Sequence, residues 1–209
     1  MKRRGFLAST AALLVATPLF AAEAGKGSLT VGAAINKAGR QRMLSQRMAK
    51  AFAMQAAGVM PDKAGSLLDQ SRRLFEAQLA ELKTLAPSEA IQAALADLDK
   101  AWASYREVLS KPRTPDNARL VLAESEKTLR AAHVLTGLYE KQAASSAGHL
   151  VNISGRQRML SQRMAKCFLF AQSGVGSEQL KSELEAARRD FVAALAELNA
   201  AQGLLENGK

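Results

Sequence analysis

The side chains in this sequence best equipped for recognition chemistry are the arginines of one repeated segment. Gly39-Arg40-Gln41-Arg42-Met43-Leu44-Ser45-Gln46-Arg47-Met48-Ala49-Lys50 recurs letter for letter at Gly155–Lys166. Neither copy contains an acidic residue. A guanidinium carries a planar fork of N–H donors that holds two oxygens of a carboxylate or a small oxyanion at once. On a helical wheel, Val31, Ile35, Ala38, Arg42, Ser45, Ala49, Phe52, Ala53 and Ala56 share one apolar side of mostly small residues. Asn36, Gly39, Arg40, Gln46, Arg47 and Lys50 point roughly the other way. The second copy repeats the stripe with Val151, Ser154, Arg158, Ser161, Ala165 and Phe168.

A guanidinium on a buried stripe is costly unless paired. Two partners are open for Arg42 and Arg158: a carboxylate from another helix, which makes a structural pair, or an external anion. The pattern weighs the two evenly. The candidate ligand-binding residues are Arg42 and Arg158, with Ser45 and Ser161 one turn on and Gly39 and Gly155 opening each motif. Arg40, Arg47, Arg156 and Arg163 read as a solvated face. If the two motif helices pack about a pseudo-twofold axis, both forks face one anion.

Other chemistry is poorly supplied. His133 and His149 are the only histidines and have no metal-ligand spacing. There is no Gly-rich phosphate loop and no H-E-x-x-H segment. No catalytic residue, metal or cofactor is expected, and the protein does not read as an enzyme. Cys167, alone in the apolar run Cys167-Phe168-Leu169-Phe170, reads as a small core residue. Met43, Met48, Met159 and Met164 read as core filler.

The elements that must position these residues are helices. Ala, Leu, Gln, Glu, Lys and Arg dominate, and no Val/Ile/Thr run alternates as a strand would. Laid on one another without a gap, Ile35–Lys83 and Val151–Asn199 agree at about half their positions. Each copy reads as a hairpin: the motif helix, a turn at Gly58-Val59 or Gly174-Val175, and a second helix. Between the copies lie Ser88–Leu109, with Ser88 as N-cap, and Asp116 to about Ala147, beyond the break Lys111-Pro112-Arg113-Thr114-Pro115. Ala143–Gly148 is either a join or part of one long helix, so the helices number six or five. The fold class is all-α: an antiparallel helical bundle of two repeated hairpins plus a linking helical pair.

Residues 1–24 read as a secretory signal. Lys2, Arg3 and Arg4 precede an apolar run from Ala8 to Phe20, and Ala22-Glu23-Ala24 offers a cleavage site. Arg3-Arg4-Gly5-Phe6-Leu7 resembles a twin-arginine motif, though Lys2 replaces the usual hydroxyl residue, and the general secretory route stays open. The formal net charge is +10. Cleavage would remove Lys2, Arg3, Arg4 and Glu23 and leave an expected +8. That balance favours anionic partners, and export to the periplasm argues against nucleic acid. The expected organisation is a signal peptide at 1–24, a first helical unit at 25–147, and a shorter second unit at 148–209 that packs on the first.

The motif carries a resemblance. Asn36-Lys37-Ala38-Gly39-Arg40-Gln41-Arg42-Met43-Leu44-Ser45-Gln46-Arg47 is similar to the P-box of the NarX/NarQ nitrate and nitrite sensor kinases. The fuller form through Lys50 more closely resembles the N-terminal domain of type IV pili methyl-accepting chemotaxis transducers, the PilJ type. The likeness covers the two repeats and not the linking helices, and Ser154 and Ile153 stand in copy two where copy one has Ala38 and Lys37. It implies an exported anion-sensing bundle. One arginine per P-box, matched here by Arg42 and Arg158, would bind a nitrate- or nitrite-like small inorganic oxyanion across a pseudo-dimer interface. A membrane sensor or transducer would receive the signal, and a homodimer is compatible with it. The sensor kinases carry membrane-spanning helices and an output module, for which this sequence shows no counterpart. The competing reading is a structural or protein-interaction bundle with no small ligand.

Overall fold

The computed structural model describes residues 29–175 and 178–207, with side chains described through residue 201. The expected signal peptide lies outside the described residues. Six helices follow one another: α1 (Val31–Ala56), α2 (Pro61–Lys83), α3 (Glu89–Leu109), α4 (Pro115–Ala143), α5 (Ser146–Gln172) and α6 (Glu178–Asn207). No strand occurs among the described residues.

Local sequence explains the boundaries. Thr30, Ser88, Thr114 and Ser145 cap the starts of α1, α3, α4 and α5, each side chain accepting a backbone N–H of the first turn. Pro61 and Pro115 stand in the first turns of α2 and α4, where a missing N–H costs nothing. The join between α4 and α5 is sharp: Ala144 is left-handed at φ 46°, and Ser145 caps the next helix at once.

The repeat is a structural repeat. α1 and α5 end alike, with Gly58 and Gly174 both at φ 68°. The following N–H reaches back in both, from Val59 to Met54 O (2.8 Å) and from Val175 to Phe170 O (3.2 Å). Within each hairpin one glutamine ties the two helices: Gln41 Nε2 donates to Phe75 O at 3.1 Å and Gln157 Nε2 to Phe191 O at 2.9 Å. Open space surrounds both turn glycines, so only backbone strain opposes a side chain there. Gly58→Ala and Gly174→Ala are each expected to cost about 1–2 kcal/mol, adding in the double variant because the sites are far apart. Urea unfolding of the three variants checks this.

α1 is the axis of the bundle, with α2, α4 and α5 packed around it; α3 packs on α4, and α6 on α5. The pairs α1/α2, α1/α4, α4/α5 and α5/α6 run antiparallel, as Gln41–Phe75 with Arg47–Ser71, Arg42–His133 with Gln46–Ser125, Asn152–Glu140 with Lys166–Glu126, and Arg156–Asp190 with Arg163–Glu183 show. The two motif helices α1 and α5 run parallel, Ile35 lying beside Gly148 and Ala53 near Phe170. Main core members are Ile35, Leu44, Met48, Phe52, Phe75, Leu82, Trp102, Tyr105, Leu135, Tyr139, Cys167 and Phe170. Trp102 stacks on Phe75 at 4.3 Å between ring centroids. The Tyr105 hydroxyl is satisfied by Ser45 O at 2.7 Å. Cys167 is buried in the core, as expected of a small apolar residue. No described helix is long and apolar enough to cross a membrane.

Candidate functional site

The two motif helices cross at their glycines. A Cβ added at Gly155 would stand 3.9 Å from Gly39 Cα, so the two backbones nearly touch. Gly39 therefore faces the crossing instead of the solvated side assigned by the wheel, and it is buried. α1 and α5 run parallel, with Ile35 beside Gly148 near their starts and Ala53 and Phe170 lining one pocket near their ends, and each motif arginine reaches back to the other repeat's asparagine. Arg42 Nη2 donates to Asn152 Oδ1 at 2.6 Å and to Asn152 O at 3.1 Å. Arg158 Nη2 donates to Asn36 Oδ1 at 3.0 Å. The reciprocity is a pseudo-twofold relation between the repeats. It also brings the two forks together: Arg42 Nη2 and Arg158 Nη2 lie 3.4 and 3.8 Å from the position a Gly155 Cβ would occupy.

The two arginines differ in environment. Arg42 is 1% exposed. Its Nη1 lies 3.3 Å from His133 Nδ1 on α4, and its Nε is buried without a hydrogen-bond partner. No carboxylate forms an ion pair with it among the described residues. Burial pushes its pKa down to about 10; Arg156 presses the same way, Glu140 opposes, and Arg158 adds to the lowering. His133 is also held below its ordinary value, first by burial and then by Arg42, which leaves a neutral imidazole able to accept from Arg42. Arg158 stands on the surface. The stripe position had placed both arginines alike, and for Arg158 that expectation is corrected. α4 covers the stripe of α1, and no described element covers that of α5.

Ser45 and Ser161 are turned away from the forks. Each hydroxyl donates to the carbonyl one turn back on its own helix, Arg42 O at 2.8 Å and Arg158 O at 2.9 Å. The arginines read as solvated are mostly paired: Arg47 with Ser71 Oγ, Arg156 with Asp190, and Arg163 with Glu126 and Glu183. Gln46, placed on the outer side by the wheel, is fully buried and donates to Ser125 O on α4 at 3.2 Å.

A chain of polar contacts leads from Arg42 to the surface. Asn152 Nδ2 donates to Glu140 Oε2, whose other oxygen meets His149 Nδ1 at 2.5 Å; His149 Nε2 meets Glu197 Oε1 at 2.7 Å. Glu140 was not singled out in the sequence and His133 was noted only for lacking metal-ligand spacing, because both sit on α4, outside the repeat. The hydrogen bonds to Glu140 and then Glu197 raise the His149 pKa. A raised folded value means a contribution to stability present in full below the unfolded pKa of about 6.5 and lost as pH rises through the folded value. The difference in Tm between wild type and His149→Ala is therefore expected to be largest below about pH 6.5 and to shrink in alkaline buffer. Paired thermal melts across that range check it.

Away from the crossing, a pocket of about 110 Å³ lies between the C-terminal ends of α1 and α5 and the start of α4, lined by Ala53, Arg113, Pro115 and Phe170 among others. Its arginine is engaged: Arg113 Nε donates to Gln55 Oε1 at 3.0 Å, and the guanidinium lies 4.4 Å from the Phe52 ring centroid. No cluster of three or more His, Cys, Asp or Glu suited to a metal ion occurs among the described residues.

The class is an all-α bundle made of two copies of one hairpin whose motif helices cross at a cationic seam. The family model for the N-terminal region of type IV pili methyl-accepting chemotaxis transducers, PilJ, matches residues 26–132 and 141–205, and the chain belongs to that family. Its members carry the sensor domain of a transducer system. No curated protein and no solved structure gives a match.

Proposed function

We propose that the protein is an exported, periplasmic sensor module that binds a small oxyanion of the nitrate or nitrite type at the α1/α5 crossing and passes its occupancy to a signalling partner. Arg42 and Arg158 are the binding groups, and Gly39 and Gly155 allow the close crossing between them. The observation that carries this reading is the state of Arg42: a fully buried guanidinium without an ion pair among the described residues, with its Nε unpartnered, beside two further arginines. A buried cation of that kind is unfavourable until an anion joins it. A planar oxyanion would supply the acceptor that Nε lacks and offset the repulsion among Arg42, Arg156 and Arg158.

A second reading has one observation in its favour: Asn152 already satisfies Arg42 Nη2 at 2.6 Å. In that case the crossing is a structural joint and the module responds to a protein only. Thermal unfolding of residues 25–209 against nitrate, nitrite, sulfate, phosphate and chloride at matched ionic strength separates the two. A ligand that binds only the native state must raise its stability. A saturable rise in Tm with one planar anion, absent in the Arg42→Met/Arg158→Ala double variant, supports the oxyanion site. A flat response across the panel assigns the crossing a structural role.

A further inference from the structure

The two motif helices carry the same face, and the fold covers it once. On α1, Ala38, Arg42, Ser45, Ala49 and Phe52 are all buried. α4 lies over this face, with His133 against Arg42, Thr136 beside Gly39, and Ser125 O accepting from Gln46. The repeat-related residues of α5 are left open: Ser154, Arg158 and Ser161 are exposed, and Phe168 is 56% exposed where Phe52 is fully buried.

The way α4 is held says what a covering element must carry. While it lies on α1, α4 sends Glu126 across to α5, where the carboxylate pairs with Arg163 (2.8 Å) and Lys166 (2.5 Å). The pseudo-twofold relation places Arg47 and Lys50 of α1 at the corresponding edge of the open face. Lys50 is half-buried and makes no ion pair among the described residues. Its pKa is lowered by burial and then by Arg47. Arg40 in turn presses on both Arg47 and Arg158. Arg158, Arg40, Arg47 and Lys50 thus form one cationic row beside an exposed phenyl ring.

We infer that this face of α5 is a docking surface for a helix of a partner protein, a helix with a face of small residues and a carboxylate placed to meet Arg47 and Lys50. A second copy of the chain fits poorly, because the row would face itself and like charges across an interface are repelled. A small anion alone leaves Phe168 uncovered. The inference goes beyond the oxyanion reading, since Phe168 takes no part in the α1/α5 crossing.

The probe is a fluorescent, helix-stabilised peptide of α4's own sequence, residues 115–143, titrated into the folded protein at low salt. Saturable one-to-one binding is expected, weakened about tenfold by Phe168→Asp in the protein and by Glu126→Lys in the peptide. Circular dichroism checks that Phe168→Asp keeps its fold, and its response to the anion panel should match wild type even if that response is nil. Absence of peptide binding, or binding indifferent to both substitutions, overturns the inference. So does a protein dimer that Phe168→Asp converts to monomer, which makes the face a homotypic interface. Retention on phosphatidylserine vesicles without peptide binding, lost in the same variant, would overturn it in favour of a lipid surface.

Discussion

Glu126→Ala is expected to destabilise the protein by about 3–5 kcal/mol, the range for removing one partner of a buried ion pair. Lys166 has no exposed surface, and Glu126 is its one carboxylate partner among the described residues. With Glu126 gone, the ammonium keeps only Ser125 Oγ, at 3.5 Å. Arg163 would keep Glu183, at 3.4 Å. The cost arises from the charge left behind and not from the net value of the pair. The double variant Glu126→Leu/Lys166→Met is therefore expected to lie close to wild type. Acid carries the same signature. Burial would raise the Glu126 pKa, but Lys166 and Arg163 outweigh it and hold the carboxyl below its ordinary value. A depressed folded value contributes stability that is full above the unfolded pKa of about 4.3 and lost as pH falls through the folded one. Urea unfolding should show the gap between wild type and Glu126→Gln at neutral pH closing in acid. Equal stability of Glu126→Ala and wild type at pH 7 would show that water reaches Lys166.

The helices and hairpins were legible because caps, prolines and turn glycines speak locally. Ser88, Thr114 and Gly58 act on their own backbones, and the repeat supplied two independent statements of one hairpin. The burial of Arg42 was legible for the same reason, since a stripe of Ile35, Ala38, Ala49 and Phe52 must face a neighbour. The exposure of Arg158 was not. The wheel treats identical letters alike, and only the single occurrence of α4 distinguishes them. The enclosure of α1 by three helices likewise buries Gln41 and Gln46, whose amides find backbone carbonyls on α2 and α4 that no spacing in α1 specifies. The asparagines at Arg42 and Arg158 could have been found: Asn36 and Asn152 stand at equal spacing before the two arginines. Their role emerges only from the parallel crossing of α1 and α5, in which each arginine reaches back to the asparagine of the other repeat.

That crossing makes the sharpest expectation for Arg42 itself. Arg42→Met keeps an unbranched apolar stem in the core, so the cavity cost of an alanine is avoided. What it removes is a buried charge with no ion pair and a crowd of arginines around it. What it leaves is Asn152, which keeps its bond to Glu140 and is only half-buried, and His133, which reaches solvent. Replacing uncompensated buried charge with well-packed apolar atoms is often neutral or stabilising by about 1–4 kcal/mol. Arg42→Met is therefore expected to melt at or above the wild-type temperature in anion-free buffer while losing any anion-dependent rise in Tm. The two effects in one variant would identify Arg42 as a residue kept for its ligand at the expense of stability, a common trade at binding sites. A loss of more than about 2 kcal/mol would instead mean that the Arg42–Asn152 bond holds α1 to α5. The crossing would then owe its cation to architecture, and the search for the stimulus would move to the open face of α5.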